Sequence, residues 1–232
     1  MSRTGKIEVA LFAVGFAMAG LVLFALLWSG AGAYADMARA AGAESTTFID
    51  HTNGERVVMG LGPLVQEHRV WSTYVTGGTA DPPEPGRFYT TDEISHMTDV
   101  RGVFDGAKLL IPAGFFVMAI RLQRARAHSA EEMFRLARDG AVTAGVVVAA
   151  LGLIAALTFE QAFLLFHEVF FPQGNFLFDP ATSNLVRLYP DWYWQGITFR
   201  IGLSFIAVAA VVAVAASAGL WRARSTLARS LH

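Results

Sequence analysis

Four apolar segments interrupt this 232-residue chain, and they limit its fold more than any other feature. A hydrocarbon layer about 30 Å thick holds no water for backbone groups, so a segment of about 20 apolar residues crosses it as a helix. Ile7 to Trp28 carries only Glu8, at its start. Gly106 to Ile120 is shorter, with Lys108 near one end and Pro112 inside. Ala141 to Phe171 is interrupted only by Glu160, Gln161, His167 and Glu168. Ile197 to Trp221 has Arg200 near its start and no charge after it. The fold class expected is an all-α membrane protein with four transmembrane helices at 7–28, 106–120, 141–171 and 197–221.

Charge places the connections. Arg3 and Lys6 precede the first span, Arg121, Arg124, Arg126, Arg135 and Arg138 crowd the 121–140 link, and Arg222, Arg224 and Arg229 follow the fourth span. Those short stretches hold ten of the 18 basic residues. The positive-inside rule then puts both termini and the 121–140 link in the cytoplasm. The long 29–105 loop, structured in its own right, and the 172–196 loop lie outside. Ala33-Tyr34-Ala35 before Asp36 has the form of a signal-peptidase site, but the run ahead of it exceeds the 7–15 apolar residues of a signal peptide. An uncleaved span is the reading preferred. Charged residues are 16 % and hydrophobic ones 54 %, which excludes disorder. A net charge of −1 leaves no footprint for nucleic acid. The absence of cysteine excludes disulfides, thiolate metal sites, a thiol nucleophile and a lipidated cysteine.

Within the first outer loop, Thr46–Asp50, Asn53-Gly54 and Arg56–Met59 read as a hairpin. Pro63 to Tyr74 reads as a helix lying at the membrane interface. The proline-rich 81–86 stretch is a stiff turn. Thr90 with Glu93 three residues on has the form of a capping box, which starts a short helix over 91–104. Its apolar face is Ile94, Met97, Val100 and Phe104, while Glu93, His96 and Asp99 share another face. In the second loop, the aromatics of Tyr189–Trp194 read as an interface anchor.

Chemistry concentrates on two histidines. The third segment spans about 46 Å as a helix, so it either projects beyond the bilayer or breaks near its outer end. Glu160 lies two turns before His167 and needs a partner or a wet cavity at its depth; Arg200 and Lys108 are candidate partners. His96 and His167 map to the same side and similar depth, and a pair of imidazoles can take a proton from a nucleophile and give one to a leaving group. His51 and His68 lack such surroundings, and His128 and His232 fall on the cytoplasmic side. No phosphate-binding loop and no Gly-x-Ser-x-Gly elbow occurs. A zinc site from Glu93, His96 and His167 lacks convincing ligand spacing.

Phe88-Tyr89-Thr90-Thr91-Asp92-Glu93-Ile94-Ser95-His96-Met97-Thr98-Asp99-Val100-Arg101, then Phe166-His167-Glu168-Val169-Phe170-Phe171 with Gly174-Asn175 and Phe178-Asp179-Pro180, then Leu188-Tyr189-Pro190-Asp191-Trp192-Tyr193-Trp194, resemble three signatures of one family. It is the four-span bacterial family that includes the lipoprotein intramolecular transacylase Lit, and the order of spans and motifs extends the resemblance over most of the chain. The resemblance implies a substrate that is a diacylglyceryl-modified lipoprotein N-terminus. The sn-2 acyl chain moves from glycerol to the cysteine α-amino group, giving a lyso-form lipoprotein. His96 and His167 map onto the family's catalytic histidines, and no cofactor or metal is implied. Partners would be the lipoprotein and membrane lipids; oligomeric state is not addressed. An oxyanion needs donors aimed at it, for which Tyr89, Arg101 and backbone N–H groups near Pro172–Asn175 are candidates. Asp99 either orients His96 or bonds nearby backbone, and Glu93 and Glu160 are further binding or orienting candidates. The rival readings are a membrane-embedded (metallo)hydrolase of lipid esters and a non-enzymatic lipoprotein- or lipid-binding protein.

Overall fold

The computed structural model describes residues 3–229, without the side chains of Arg3, Thr4 and 226–229. Arg3 and Arg229 as charged groups, and His232 altogether, therefore lie outside the described set. Nine helices and one hairpin are seen among the described residues: α1 (Arg3–Trp28), α2 (Ala31–Ala40), β1 (Ser45–Ile49), β2 (Arg56–Gly60), α3 (Leu61–Val75), α4 (Thr91–Lys108), α5 (Leu110–His128), α6 (Ala130–Leu157), α7 (Phe159–Phe170), α8 (Asn184–Leu188) and α9 (Asp191–Arg229). Four helical stretches are long and apolar enough to cross a membrane: Gly5–Trp28, Thr91–His128, Ala130–Leu157 and Asp191–Ser225. The chain divides into two compact units.

The first unit, here the span unit, contains the described residues up to Phe24, Lys108–Ile154, and those from Arg200 on. Its core is Ala13, Ala144, Phe205 and Ala209, with Phe16, Leu21, Phe24 and Val148 packed around them. Small residues let the helices approach, as lipid-solvated helices need. A Cβ on Gly114 would strike the Gly15 carbonyl oxygen, and one on Gly20 would lie 2.8 Å from the Phe205 ring. Val14, Phe116, Val146, Leu151, Val211 and Val214 face outward. At the helix ends, Arg121 donates to both Glu8 carboxylate oxygens at 3.2 Å, and Glu131 accepts from Arg135 and Arg224.

The second unit, Ala25–Ala107 and Ala155–Phe199, carries both candidate histidines. The hairpin forms where expected, antiparallel, with Thr46 opposite Met59 and Phe48 opposite Val57. Its turn is built on Asp50, whose carboxylate accepts from the Thr52 hydroxyl and N–H and from Arg87 at 2.7 Å. These bonds, Thr52 first, hold the Asp50 carboxyl down at about 2. Gly54, at φ +78°, takes the left-handed position the turn requires.

Helix α3 does more than lie on a membrane surface. Leu64, His68, Trp71 and Val75, spaced along one face, are buried in this unit. The aromatics expected as an anchor also belong to its interior: Tyr189 and Tyr193 are buried, and the Tyr34 ring packs against both, as well as against Trp192. Tyr34 donates to the Leu188 carbonyl at 2.9 Å, so the Ala33–Ala35 stretch sits within α2 as part of this core. Asn184, fully buried, closes the unit. Its oxygen accepts from Ile49 N–H at 2.8 Å, and its amide donates to the Ile49 and Phe88 carbonyls at 2.7 Å each.

Three helix boundaries differ from the apolar pattern. The helix begun at Thr91 runs to Lys108 rather than 104, with only Leu109 between it and α5. The long third segment breaks at Thr158 (φ −129°, ψ 44°) and restarts as α7. No proline or glycine stands at that break, so hydropathy alone joins the two helices. The fourth helix begins at Asp191, six residues before the apolar run.

Candidate active site

The site grows from one face of α4. Thr90 and Glu93 form the capping box: Glu93 N–H donates to the Thr90 hydroxyl, and Thr90 N–H to a Glu93 carboxylate oxygen at 2.9 Å. The other Glu93 oxygen accepts from the Ser183 hydroxyl at 2.6 Å and from Leu185 N–H at 2.9 Å. Glu93 thus starts α4 and ties it to the segment before α8. One turn on, His96 is buried and meets α7; one turn further, Asp99 meets the 173–175 loop. Three residues at i, i+3 and i+6 thus reach three separate parts of the 167–185 segment.

His167 lies near the end of α7. Its ring and the His96 ring stack with centroids 6.1 Å apart and planes 22° from parallel. The walls are phenylalanines. Phe163, Phe166, Phe171 and Phe176 contact His167, and Phe171 and Phe178 contact His96. Such walls exclude water from a reacting ester. The carbonyl of Phe163 lies 2.8 Å from His167 Nδ1. A carbonyl only accepts, so Nδ1 carries the proton and Nε2 of the neutral ring keeps its lone pair. Nδ1 of His96 is buried with no hydrogen-bond partner among the described residues.

At 100° per residue, His167 and Phe163 lie about 40° apart on α7 and point into the cage, Gln161 and Glu168 lie on an exposed polar side, and Leu165 and Val169 on an exposed apolar side; Glu160 shares the direction of His167 two turns earlier, at the exposed start of the helix.

Asp99 meets the loop. Its carboxylate accepts from Asn175 Nδ2 at 2.6 Å and from Gln173 Nε2 at 2.8 Å, which sets the Asn175 side chain beside the His96 ring. Gly174 sits at φ +78°, where the loop reverses beneath them.

The other sequence candidates are placed elsewhere. The Tyr89 hydroxyl donates to Glu67 at 3.2 Å, beneath the Trp71 ring. Arg101 donates to the Thr79 and Ala80 carbonyls and lies over the Tyr74 ring. Glu160 is exposed in the first turn of α7. Both Glu93 oxygens are engaged by the bonds above, so that carboxylate is not turned to the two histidines as a zinc ligand would be.

Asn175, Gln173, Asn184 and His68 were not singled out from the residues. His68 is fully buried; its Nε2 lies 3.0 Å from the Ser29 carbonyl and its Nδ1 3.2 Å from the Tyr189 hydroxyl, with the Tyr34 ring stacked at 4.5 Å. The carbonyl makes Nε2 the donor, so Nδ1 accepts from Tyr189. Burial pushes His68 down to about 4, which makes it a neutral structural imidazole at physiological pH. For Asn175 a signal existed in the Gly174-Asn175 signature; for Asn184 none did.

Fold and site together define a polytopic helical membrane protein with two histidines stacked in an aromatic cage. The sequence model of the lipoprotein intramolecular transacylase Lit family matches residues 49–194, a stretch that contains both histidines. The chain belongs to that family, and it is an acyltransferase acting on lipoproteins. No curated protein matches the chain in sequence. Among solved structures, the membrane integral lipoprotein intramolecular transacylase Lit from Bacillus cereus is 16 % identical, with a TM-score of 0.68 covering 97 % of this chain and 100 % of that one. Two structures of the same protein with a histidine replaced, by arginine and by alanine, are 15 % identical with TM-scores of 0.67. They cover 96 % of this chain and 95 % and 96 % of their own. At these identities the likeness is one of fold.

Proposed function

We propose that His96 and His167 together move the sn-2 acyl chain of a diacylglyceryl-cysteine lipoprotein onto the cysteine α-amino group. The observation that carries this reading is the stacked histidine pair in its cage. His167 Nε2 takes a proton from the amine as its nitrogen attacks the ester carbonyl. The tetrahedral intermediate collapses by breaking the bond to the glycerol oxygen. That oxygen leaves as the alkoxide and receives a proton from His96. One proton passes from nitrogen to oxygen overall, and exchange with water resets the pair. Asp99 and Asn175, bonded to each other beside His96, are the polar groups proposed to orient its ring for that transfer. Gly174 N–H donates to the Phe171 carbonyl at 2.9 Å, so the Asn175 backbone N–H is the proposed oxyanion donor. Nucleophile and ester sit on one molecule, which removes most of the entropic cost of their encounter.

The same reading sets the orientation. The basic residues of the 121–140 link and of the chain ends lie on the cytoplasmic side, and the histidine site lies at the outer leaflet. Membrane lipid covers the apolar side of α7.

The test is mass spectrometry of a synthetic diacylglyceryl lipopeptide after incubation with the protein. The expected product has unchanged mass, with fragmentation placing one acyl chain on the cysteine nitrogen. His96→Ala and His167→Ala abolish it. Release of free fatty acid instead would identify a hydrolase, and a product formed by both variants would remove the histidines from the mechanism.

A further inference from the structure

A cleft of about 300 Å3 opens beside the cage, lined by Asp92, Ser95, Gly174, Asn175, Leu177 and Phe178. Two of these residues belong to both places: Phe178 packs on the His96 ring at 5.7 Å, and Asn175 stands beside it, held by Asp99. The two places differ in chemistry. The cage is phenylalanine, suited to acyl chain and ester. The cleft carries a carboxylate, a hydroxyl and an amide, with Leu177 left 77 % exposed at its edge.

A lipoprotein substrate divides along the same line. Its acyl chains are hydrocarbon, whereas the chain leaving the cysteine carbonyl is peptide, whose N–H and C=O groups need polar partners or water. An amine held at the histidines has its peptide within a few bonds. We propose that this cleft is a peptide subsite, holding the residues that follow the acylated cysteine, and that Asp92 at its rim favours a basic over an acidic side chain there. The assignment rests on the transacylase reading and adds its peptide contacts.

Three further observations agree. The volume lies at the small end of ligand clefts, so it fits one or two residues and leaves the rest of the lipoprotein free. No atom lies within 4 Å of where a Cβ on Gly174 would stand, so the cleft floor is open. Asp92 is the only charged side chain in the lining; of the neighbouring α4 carboxylates, Glu93 is engaged by Thr90, Ser183 and Leu185, and Asp99 by Gln173 and Asn175. An exposed carboxylate discriminates weakly, about two- to fivefold, and less at high salt.

The experiment compares three synthetic substrates in detergent with the intact protein: S-diacylglyceryl-cysteine amide, and lipopeptides with lysine or glutamate after the cysteine. The wild type is expected to prefer the lysine peptide by about two- to fivefold in kcat/KM. Asp92→Asn is expected to bring that ratio close to one. Ser95→Phe, which fills the cleft from an exposed helix position, is expected to raise KM for the lipopeptides relative to the amide. A wild type without preference, a ratio unchanged in Asp92→Asn, or a Ser95→Phe that affects amide and peptides alike overturns the subsite. Acyl migration with flat ratios removes the subsite alone. No migration on any substrate removes the transacylase reading and the subsite with it.

Discussion

In the span unit, Gly15 and Gly114 bring two helix backbones together, and Phe205 fits into the space over Gly20. In the histidine unit, buried contacts are polar and long-range: Asn184 to Ile49 and Phe88, Glu93 to Ser183 and Leu185, His68 to Ser29 and Tyr189. The difference follows from what each must exclude. Spans in lipid gain nothing from hiding apolar side chains, so close packing of small residues holds them together. The histidine unit folds irregular backbone around a reactive pair, and each buried polar group there needs a partner. The first kind of region resists added volume; the second resists the loss of a polar partner.

The largest effect expected tests the chemistry itself. His96→Ala and His167→Ala each lower acyl transfer by about 10²-fold or more without changing the melting temperature, read by mass spectrometry and thermal unfolding. Next is Asn184→Ala, which strands the Ile49 and Phe88 backbone groups. It costs about 2–4 kcal/mol, seen as a lower Tm in detergent. Gly114→Val tests the other region and costs about 1–3 kcal/mol through overpacking of α1 against α5. If Gly114→Val is harmless while Asn184→Ala is severe, close packing is not what holds the spans.

Acid sharpens the contrast. The folded state holds His68 at about 4, below its ordinary 6.5, so below pH 6.5 the unfolded chain binds the proton more readily. Stability therefore falls as pH drops from 6.5 to 4, by about 1 kcal/mol per unit from this group. Asp50, held at about 2, loses its contribution only below its ordinary 3.8. Thermal melts from pH 7.5 to 4.5 check this, and His68→Gln should flatten the slope while lowering Tm at pH 7.5. The smallest effect belongs to Glu160→Gln. An exposed side chain in the first turn of α7 should change kcat/KM by no more than about twofold.

Much of the site was legible in advance because its signals are local. Thr90 and Glu93 are three residues apart, and both bonds of the capping box form. Asn53-Gly54 between two short β-prone runs marks the hairpin. His96 and His167 were paired by side and depth, and their rings meet. Asp99 was open between orienting His96 and bonding nearby backbone; its carboxylate instead meets the Gln173 and Asn175 side chains, a link no spacing along one helix reveals. Pro63–Tyr74 and Tyr189–Trp194 looked like interface elements because amphipathic and aromatic stretches serve equally well at a bilayer surface and in a small core. Burial of Trp71, Tyr34 and Tyr193 decides for the core.

Hydropathy and short spacings alone determined four helices long and apolar enough to cross a membrane, the start of α4 and the hairpin turn. Each depends on its own stretch of chain, where backbone hydrogen bonding and side-chain period leave few alternatives. Only the tertiary structure decided that the third apolar segment breaks at Thr158, that Arg101 and Tyr89 are engaged away from the histidines, and that Asn175 and Asn184 join the two loops. Those outcomes turn on which distant backbone group a buried side chain finds, and that partner is set by packing across up to 135 residues of separation rather than by any neighbour in the chain.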